Sequence, residues 1–357
     1  MLPVKPHPAI RRGPLRAASL LLAVLLAGCG AASTRPASTS SALPYPATAG
    51  PPVQVGADAV QILPRGTTAF PVIRSLIASA RHTVDAEMYE FSRDDIAAAL
   101  LDAQRRGVLV TVIVDPSVET TRATAARLRA SGLDVVDYPV RKQMIDHVKL
   151  LVVDGSVAVV GGINWGTASD RNHDVDARIA GPAAVNLDRV FKADLLTCGR
   201  TAGVPPPMSD DHVLVAATLP QTDIRPLVLQ LIESARSTLD LELFVLTDTG
   251  VVHAIESAHA RGVAVRVMLD PGQRPSDASA ARLAAAGVAL RRYRSSGEKL
   301  HAKLAVADGR TAIFGSANWT SGGFQRNHEV DVEILDAPAV AAQITAMVDA
   351  DWSASAP

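Results

Sequence analysis

The sequence predicts an α/β protein of two tandem, pseudo-twofold-related half-domains, each a mostly parallel sheet flanked by helices. Three observations carry this prediction. A long internal repeat runs through the chain at an offset of 155. Within each copy, apolar β-rich runs alternate with amphipathic helical stretches. And 48% of the 357 residues are hydrophobic, enough for a sizeable core. Strands separated by helices imply parallel pairing with both sheet faces covered.

Two segments precede the repeat. Residues 1–28 carry Lys5, Arg11, Arg12 and Arg16 and then an apolar stretch, 17–27, of eleven residues, well short of the ~20 that cross a bilayer. This is the pattern of a cleavable export signal. Its end, Leu26-Ala27-Gly28-Cys29, resembles the lipobox of bacterial lipoproteins. That resemblance implies that the Cys29 thiol takes a diacylglyceryl group and that Cys29 becomes the new N-terminal residue. Acyl chains would then hold the chain on a membrane surface. The expected product is an exported, membrane-anchored lipoprotein of the bacterial cell envelope. Residues 29–55 follow as a linker: between Gly30 and Pro52 the chain is mostly Ala, Ser, Thr, Pro and Gly, too poor in large apolar side chains to build a core.

The first half-domain is expected over 56–203 and the second over 204–357, joined near 201–207. Residues 79–87 (SARHTVDAE) match 234–242 (SARSTLDLE), Arg106-Gly107-Val108 returns as Arg261-Gly262-Val263, and Asp115-Pro116 as Asp270-Pro271. A period this long is too large for a solenoid. In the first copy a strand is expected over 84–91, a helix over 94–106, a strand over 108–114 and a helix over 119–130, followed by a further strand. The β-branched run 148–160 breaks at Asp154-Gly155, and its counterpart at Asp308-Gly309, which signals a hairpin or bent strand.

Lys and Arg number 35 against 36 Asp and Glu, a formal charge of -1. Loss of residues 1–28 would leave 31 basic against 36 acidic side chains, or -5. Only 4% of residues are aromatic. A groove that tracks a polyanion with basic stripes and stacked bases is therefore disfavoured. With Cys29 lipidated, Cys198 has no partner in a chain of two cysteines. It is expected to be a buried helix residue without chemical role.

The chemistry gathers where the repeat is most polar. His147, Lys149, Asp154, Asn164 and Trp165 recur as His301, Lys303, Asp308, Asn318 and Trp319 at an offset of 154. On a strand, residues two apart project to the same face, so His147 and Lys149 share one side, as do His301 and Lys303. The chain holds six lysines, and two of them occupy these equivalent places.

The pattern His-x-Lys-x4-Asp, with Asn ten residues after the Asp and present twice, resembles the phospholipase D superfamily over roughly residues 57–352. It reads His147, Lys149, Asp154, Gly162 and Asn164, then His301, Lys303, Asp308, Ser316 and Asn318. A later acidic position of the family is matched by Asp174 and by Glu329. The resemblance implies two α/β halves sharing one active site at their interface. It implies a phosphodiesterase that hydrolyses a phospholipid head group, or transfers it to an alcohol, through a phosphohistidine. In that scheme His147 is the nucleophile and His301 the general acid and base. Asp174 and Glu329 orient the imidazoles. Lys149, Lys303, Asn164, Ser316 and Asn318 bind the phosphate, while Asp154 and Asp308 hold the hairpin turns. Gly162 facing Ser316 in the repeat, and Asp174 facing the longer Glu329, imply unequal half-sites.

The physical need for such a set is plain. A phosphodiester repels nucleophiles until its non-bridging oxygens are neutralised, which lysines and amides from both sides would do. One neutral imidazole can then attack and a protonated one release the leaving alcohol. His173 and His328 also match in the repeat, but two lysines nearby oppose a divalent cation, so no metal and no cofactor are expected. Glu87 and Glu242 are a matched pair expected in buried ion pairs beneath the site. His82, His212, His253 and His259 have no counterpart in the repeat and are expected at the surface. A phospholipid is the expected substrate, since lipid anchorage would give it the highest local concentration, and a monomer is expected. The alternatives are an exported endonuclease of the same superfamily and a catalytically silent envelope binding protein.

Overall fold

The computed structural model describes residues 49–209, 211–220, 222–294 and 297–355. Residues 1–28, expected to be an export signal, and Cys29 lie outside the described residues. The first half runs β1 (Val53–Val55), β2 (Asp58–Pro64), α1 (Gly66–Ser79), β3 (Thr83–Met88), α2 (Asp94–Arg105), β4 (Leu109–Val114), α3 (Glu119–Ala130), β5 (Asp134–Asp137), β6 (Lys149–Val153), β7 (Val157–Gly161), β8 (Asn172–His173), β9 (Val175–Ala180) and α4 (Pro182–Thr197). After the connecting segment the second half repeats the plan: β10 (Val213–Ala217), α5 (Ile224–Ser234), β11 (Thr238–Leu243), α6 (Thr249–Ala260), β12 (Ala264–Leu269), α7 (Asp277–Ala285), β13 (Ala289–Arg292), β14 (Lys299–Leu300), β15 (Lys303–Ala307), β16 (Thr311–Gly315), α8 (Ser321–Gln325), β17 (Val330–Ile334) and α9 (Pro338–Ala354).

Local chemistry explains the helices. In α2, Asp94 and Asp95 sit in the first turn and Arg105 in the last, each complementing the helix dipole. Gly107, at φ 91°, then turns the chain back, and Val108 N–H reaches the Ala103 carbonyl at 3.1 Å. Gly262 does the same in the second half at φ 92°.

The expectation of mostly parallel sheets needs correction. The eight-stranded sheet has the order β1-β2-β9-β7-β6-β3-β4-β5, and only the pairs β3·β4 and β4·β5 are parallel. β3·β6, β6·β7, β7·β9, β2·β9 and β1·β2 are antiparallel. The seven-stranded sheet β10-β17-β16-β15-β11-β12-β13 is mixed in the same way. Parallel neighbours need a crossover helix, which only α2 and α3, or α6 and α7, provide. Beyond β5 the chain returns through coil, and the Asp154-Gly155 turn then closes a hairpin.

Three cores fill the fold. One lies beneath α1 to α3 and includes Leu151 and Val153, and another beneath α5 to α7 includes Ala305 and Ala307. The third joins the halves: Val148, Leu150 and Val152 meet Ala302, Leu304 and Val306, with Phe191 of α4 and Ile344 of α9. Lys149 and Lys303 thus share the faces of Leu151 and Ala305, opposite this common core. Strand alternation had required that placement.

Candidate active site

Residues 145–147 and 299–301 lead into β6 and β15, and each is held by its neighbours' carboxylates. Asp115, at the end of β4, accepts the Asp146 N–H at 2.9 Å, and Asp270 accepts the Leu300 N–H at 3.0 Å. Both histidines are buried, as are Lys149 and Lys303. Each lysine Nζ donates to the carbonyl of the histidine two residues before it.

The decisive contacts cross between the halves. His147 Nδ1 lies 2.8 Å from Glu329 Oε2, and His301 Nδ1 lies 2.9 Å from Asp174 Oδ1. Each imidazole therefore takes its carboxylate from the opposite half. The exchange is made by backbone pairing: His147 N–H donates to the His328 carbonyl and His301 N–H to the His173 carbonyl, both at 2.8 Å. β8 and β14 form a small parallel sheet across the interface, and Asp146 bridges to His328 in the equivalent place. Tyr89 packs edge-on to His147 and Phe244 packs against His301, both with ring centroids 4.8 Å apart. Lys149 and Lys303 lie over those same rings at 5.0 and 5.4 Å.

Burial dominates the electrostatics. It pushes Lys149 down to about 7 and Lys303 down to about 8. Burial and the two lysines hold the His147 imidazole well below its ordinary value. Burial also lowers His301, to about 3, against the opposing pull of Asp174. Among the carboxylates the half-sites differ. Burial raises Glu329 to about 7, whereas for Asp174 the His301 charge and hydrogen bond, with Lys303, outweigh burial and bring it to about 2. Asp174 stands beside His301 as a full negative charge.

The inequality has a steric basis. Ser316 Oγ donates to Glu329 Oε2 at 2.7 Å and accepts the Val330 N–H at 3.0 Å, so the hydroxyl expected to bind phosphate is engaged by the carboxylate and the backbone. At Gly162 a Cβ would fall 2.5 Å from Asp174 Oδ1. The shorter acid and the missing side chain are one adjustment.

The remaining predicted residues are placed as follows. Asn164 is buried and its Oδ1 has no protein partner, and the same holds for Asn318 Oδ1. Asp154 and Asp308 sit at the far end of the hairpins. At φ 50° and 54°, they accept the N–H groups of residues 81–83 and 236–238. Cys198 caps α4 half-buried rather than fully buried, its thiol pushed up to about 12 by burial and then by Asp146 and Asp194. His82, His212 and His253 are exposed, and His259 is half-buried.

Sequence reasoning missed Asp176 and Asp331. Asp176 Oδ1 accepts the Ile163 N–H at 3.2 Å and Asp331 Oδ1 the Ala317 N–H at 3.0 Å, fixing the loops that present Asn164 and Asn318. The signal was available, since both stand two residues after the matched acidic position. Among the described residues, two buried groups could hold a cation by donor type: Glu87, Asp194 and His328, and His173, Glu242 and Asp351. In both, the histidine Nε2 lies 2.9 Å from a carboxylate oxygen, Asp194 or Glu242. That is hydrogen-bond geometry, and a nitrogen that donates a proton has no lone pair left for a metal.

Comparison with known proteins now identifies the class. A family model described as "Cardiolipin synthase, PLD-like domain" matches residues 73–195 and again 228–352. The chain belongs to this PLD-like family, with one copy of the domain in each half. Among curated relatives, a probable cardiolipin synthase of Bacillus subtilis is 24% identical over 79% of this chain and 63% of its own length. A cardiolipin synthase of Geobacillus kaustophilus is 28% identical over 76% of this chain and 61% of its own. The chain spans about three fifths of the length of these relatives. The structure of a phosphatidylserine synthase from Haemophilus influenzae superposes with a TM-score of 0.65 at 13% identity, covering 83% of this chain and 86% of that one. That likeness concerns the fold.

Proposed function

We propose that this protein is a phospholipid phosphodiesterase and phosphatidyl transferase that works through a phosphohistidine on His147. The observation that carries the proposal is the crossed pair of imidazole–carboxylate contacts, with two buried lysines between the same halves. With Nδ1–H donated to Glu329, His147 presents the Nε2 lone pair. That nitrogen attacks phosphorus, and the P–O bond to the head-group alcohol breaks. The departing oxygen takes its proton from His301 Nε2. A water or a second alcohol then gives a proton back to His301 while its oxygen attacks phosphorus and releases His147.

The half-sites support this division of roles. Asp174 pulls His301 upward through both its charge and a hydrogen bond, whereas on His147 it acts through charge alone, after the Ser316 carbonyl. The phosphodiester's own negative charge would raise His301 from about 3 on binding, toward the protonated form its role requires. Lys149 and Lys303, with Asn164 and Asn318, are assigned to the non-bridging oxygens. The cardiolipin synthase names of the relatives favour an alcohol acceptor beside water. The lipobox-like sequence around Cys29 favours anchorage at a bilayer of the cell envelope, which incorporation of labelled palmitate would test.

Release of choline or ethanolamine from phospholipid vesicles, with linear DNA run in parallel, checks the substrate class. Head-group release with intact DNA is expected; cleavage of DNA alone would replace this proposal with a nuclease. His147→Asn and His301→Asn should each abolish turnover, because the pair acts as a unit. Activity above about a tenth of wild type in either would refute the two-histidine scheme.

A further inference from the structure

Beneath the two imidazoles lies a second, deeper pair of histidines that the chemistry above does not use. His328, from the second half, is wholly buried against carboxylates of the first. Its Nε2 is 2.9 Å from Asp194 Oδ2 on α4 and 3.9 Å from Glu87 Oε1 on β3. His173, from the first half, is buried against the second: its Nε2 is 2.9 Å from Glu242 Oε2 on β11 and 3.1 Å from Asp351 Oδ2 on α9. Tyr138 stacks on His328 with centroids 5.2 Å apart, and Tyr293 on His173 at 5.4 Å. Asp146, Glu329 and Cys198 complete the ionisable groups around the first cluster. Glu298 and Arg65, paired with each other, lie beside the Tyr293 hydroxyl of the second.

Each deep histidine immediately precedes the acid that holds a catalytic imidazole, and its carbonyl accepts the backbone N–H of that same catalytic histidine. Successive residues of an extended segment face opposite ways. An imidazolium anchored below therefore fixes the lateral position and rotation of the carboxylate above. The pull of the surrounding acids exceeds the penalty of burial, raising His173 to about 10 and His328 above its ordinary value. His173 is thus an imidazolium at neutral pH, and the acids around His328 pull its ring in the same direction.

We propose that His328 and His173 are positioning residues, the first registering Glu329 against the nucleophile His147 and the second registering Asp174 against the general acid His301. The assignment rests on the phosphoryl-transfer function proposed above and adds a separable prediction. Loosening the His328 clamp impairs the attacking nitrogen, whatever leaves. Loosening the His173 clamp impairs protonation of the leaving group, which matters for an alkoxide such as choline and little for p-nitrophenolate.

The test uses the near-isosteric Asp194→Asn and Asp351→Asn variants, which keep side-chain volume, alongside His328→Leu and His173→Leu. For each, kcat/KM is measured on phosphatidylcholine and on a p-nitrophenyl phosphodiester, with melting temperature recorded. Asp351→Asn and His173→Leu are expected to lower kcat/KM for phosphatidylcholine by on the order of 10²-fold and for the p-nitrophenyl ester by less than about 10-fold. Asp194→Asn and His328→Leu should lower both by the same factor. A merely structural role would depress both substrates together in all four variants. That pattern, or asparagine variants within about threefold of wild type on both substrates, overturns the inference. A wild-type protein that cleaves neither substrate removes the proposed function instead, and the inference with it.

Discussion

At each of the two imidazoles proposed as catalytic, the nitrogen left for substrate is set by what holds the other. Glu329 on His147 and Asp174 on His301 fix both rings with Nε2 outward. The two acids are seated differently, and the difference is testable at one position. Gly162→Ser would place a Cβ 2.5 Å from Asp174 Oδ1 and displace the acid that holds His301 Nδ1. A loss of kcat/KM on the order of 10²-fold is expected, with partial recovery in the Gly162→Ser, Asp174→Glu double variant that copies the second half. A double-mutant cycle showing simple additivity would mean the two positions are not one adjustment. The hairpin aspartates act elsewhere. Asp154 accepts backbone N–H groups from residues 81–83, which hold it below the ordinary carboxyl value although partial burial acts the other way. Its contribution is thus present above about pH 4 and lost as pH falls through the lower folded-state value. Asp154→Asn should cost about 1–2 kcal/mol in urea unfolding at pH 7, and the difference from wild type should shrink in strong acid.

At the scale of elements, α4 and α9 close the core that joins the halves and carry Asp194 and Asp351 to the deep clamps. Phe191, wholly buried on α4 with Lys192 Nζ 5.2 Å from its ring centroid, makes no hydrogen bond through its side chain, so its truncation reports chiefly packing. Phe191→Ala should destabilise by about 3–5 kcal/mol, seen as a lower urea midpoint. The turns after β7 and β16 show the opposite economy, being held by polar contacts. Asp176 and Asp331 bond the loop backbones while Gly161 and Gly315 leave the room their side chains need: a Cβ at either would come within 2.5 Å of the aspartate Cα.

For the whole molecule, reciprocity between the halves is the governing feature: neither half holds a complete site, because each histidine is bonded by the other half's acid. The two buried lysines also set the expected response to alkali. In the free protein Lys149 titrates at about 7 and Lys303 at about 8, both lowered by burial. Loss of those protons removes the charge assigned above to the phosphodiester, so on the proposed function kcat/KM should fall as pH rises through about 7 to 8. Lys303→Arg cannot deprotonate there, and even with a reduced maximum it should shift the upper part of this limb toward higher pH. A limb identical to wild type would exclude Lys303 as its source.

Much was legible in the residues alone. The duplicated His, Lys, Asp and Asn positions were read from identity at a fixed offset, and the hairpin turns from Asp-Gly between β-branched runs. Both are local signals, and strand alternation then fixed which side chains share a face. Strand direction in the sheets was not legible, because the coil between β5 and β6 carries no mark of where it re-enters. Nor were the crossed carboxylates, the Ser316–Glu329 contact or the deep clamps. These depend on which segment of one half lies against which segment of the other. The sequence by itself determined the parts, the repeat and the family they resemble; only the tertiary structure decided the pairing of parts, since burial and charge act through distances that the order of residues does not contain.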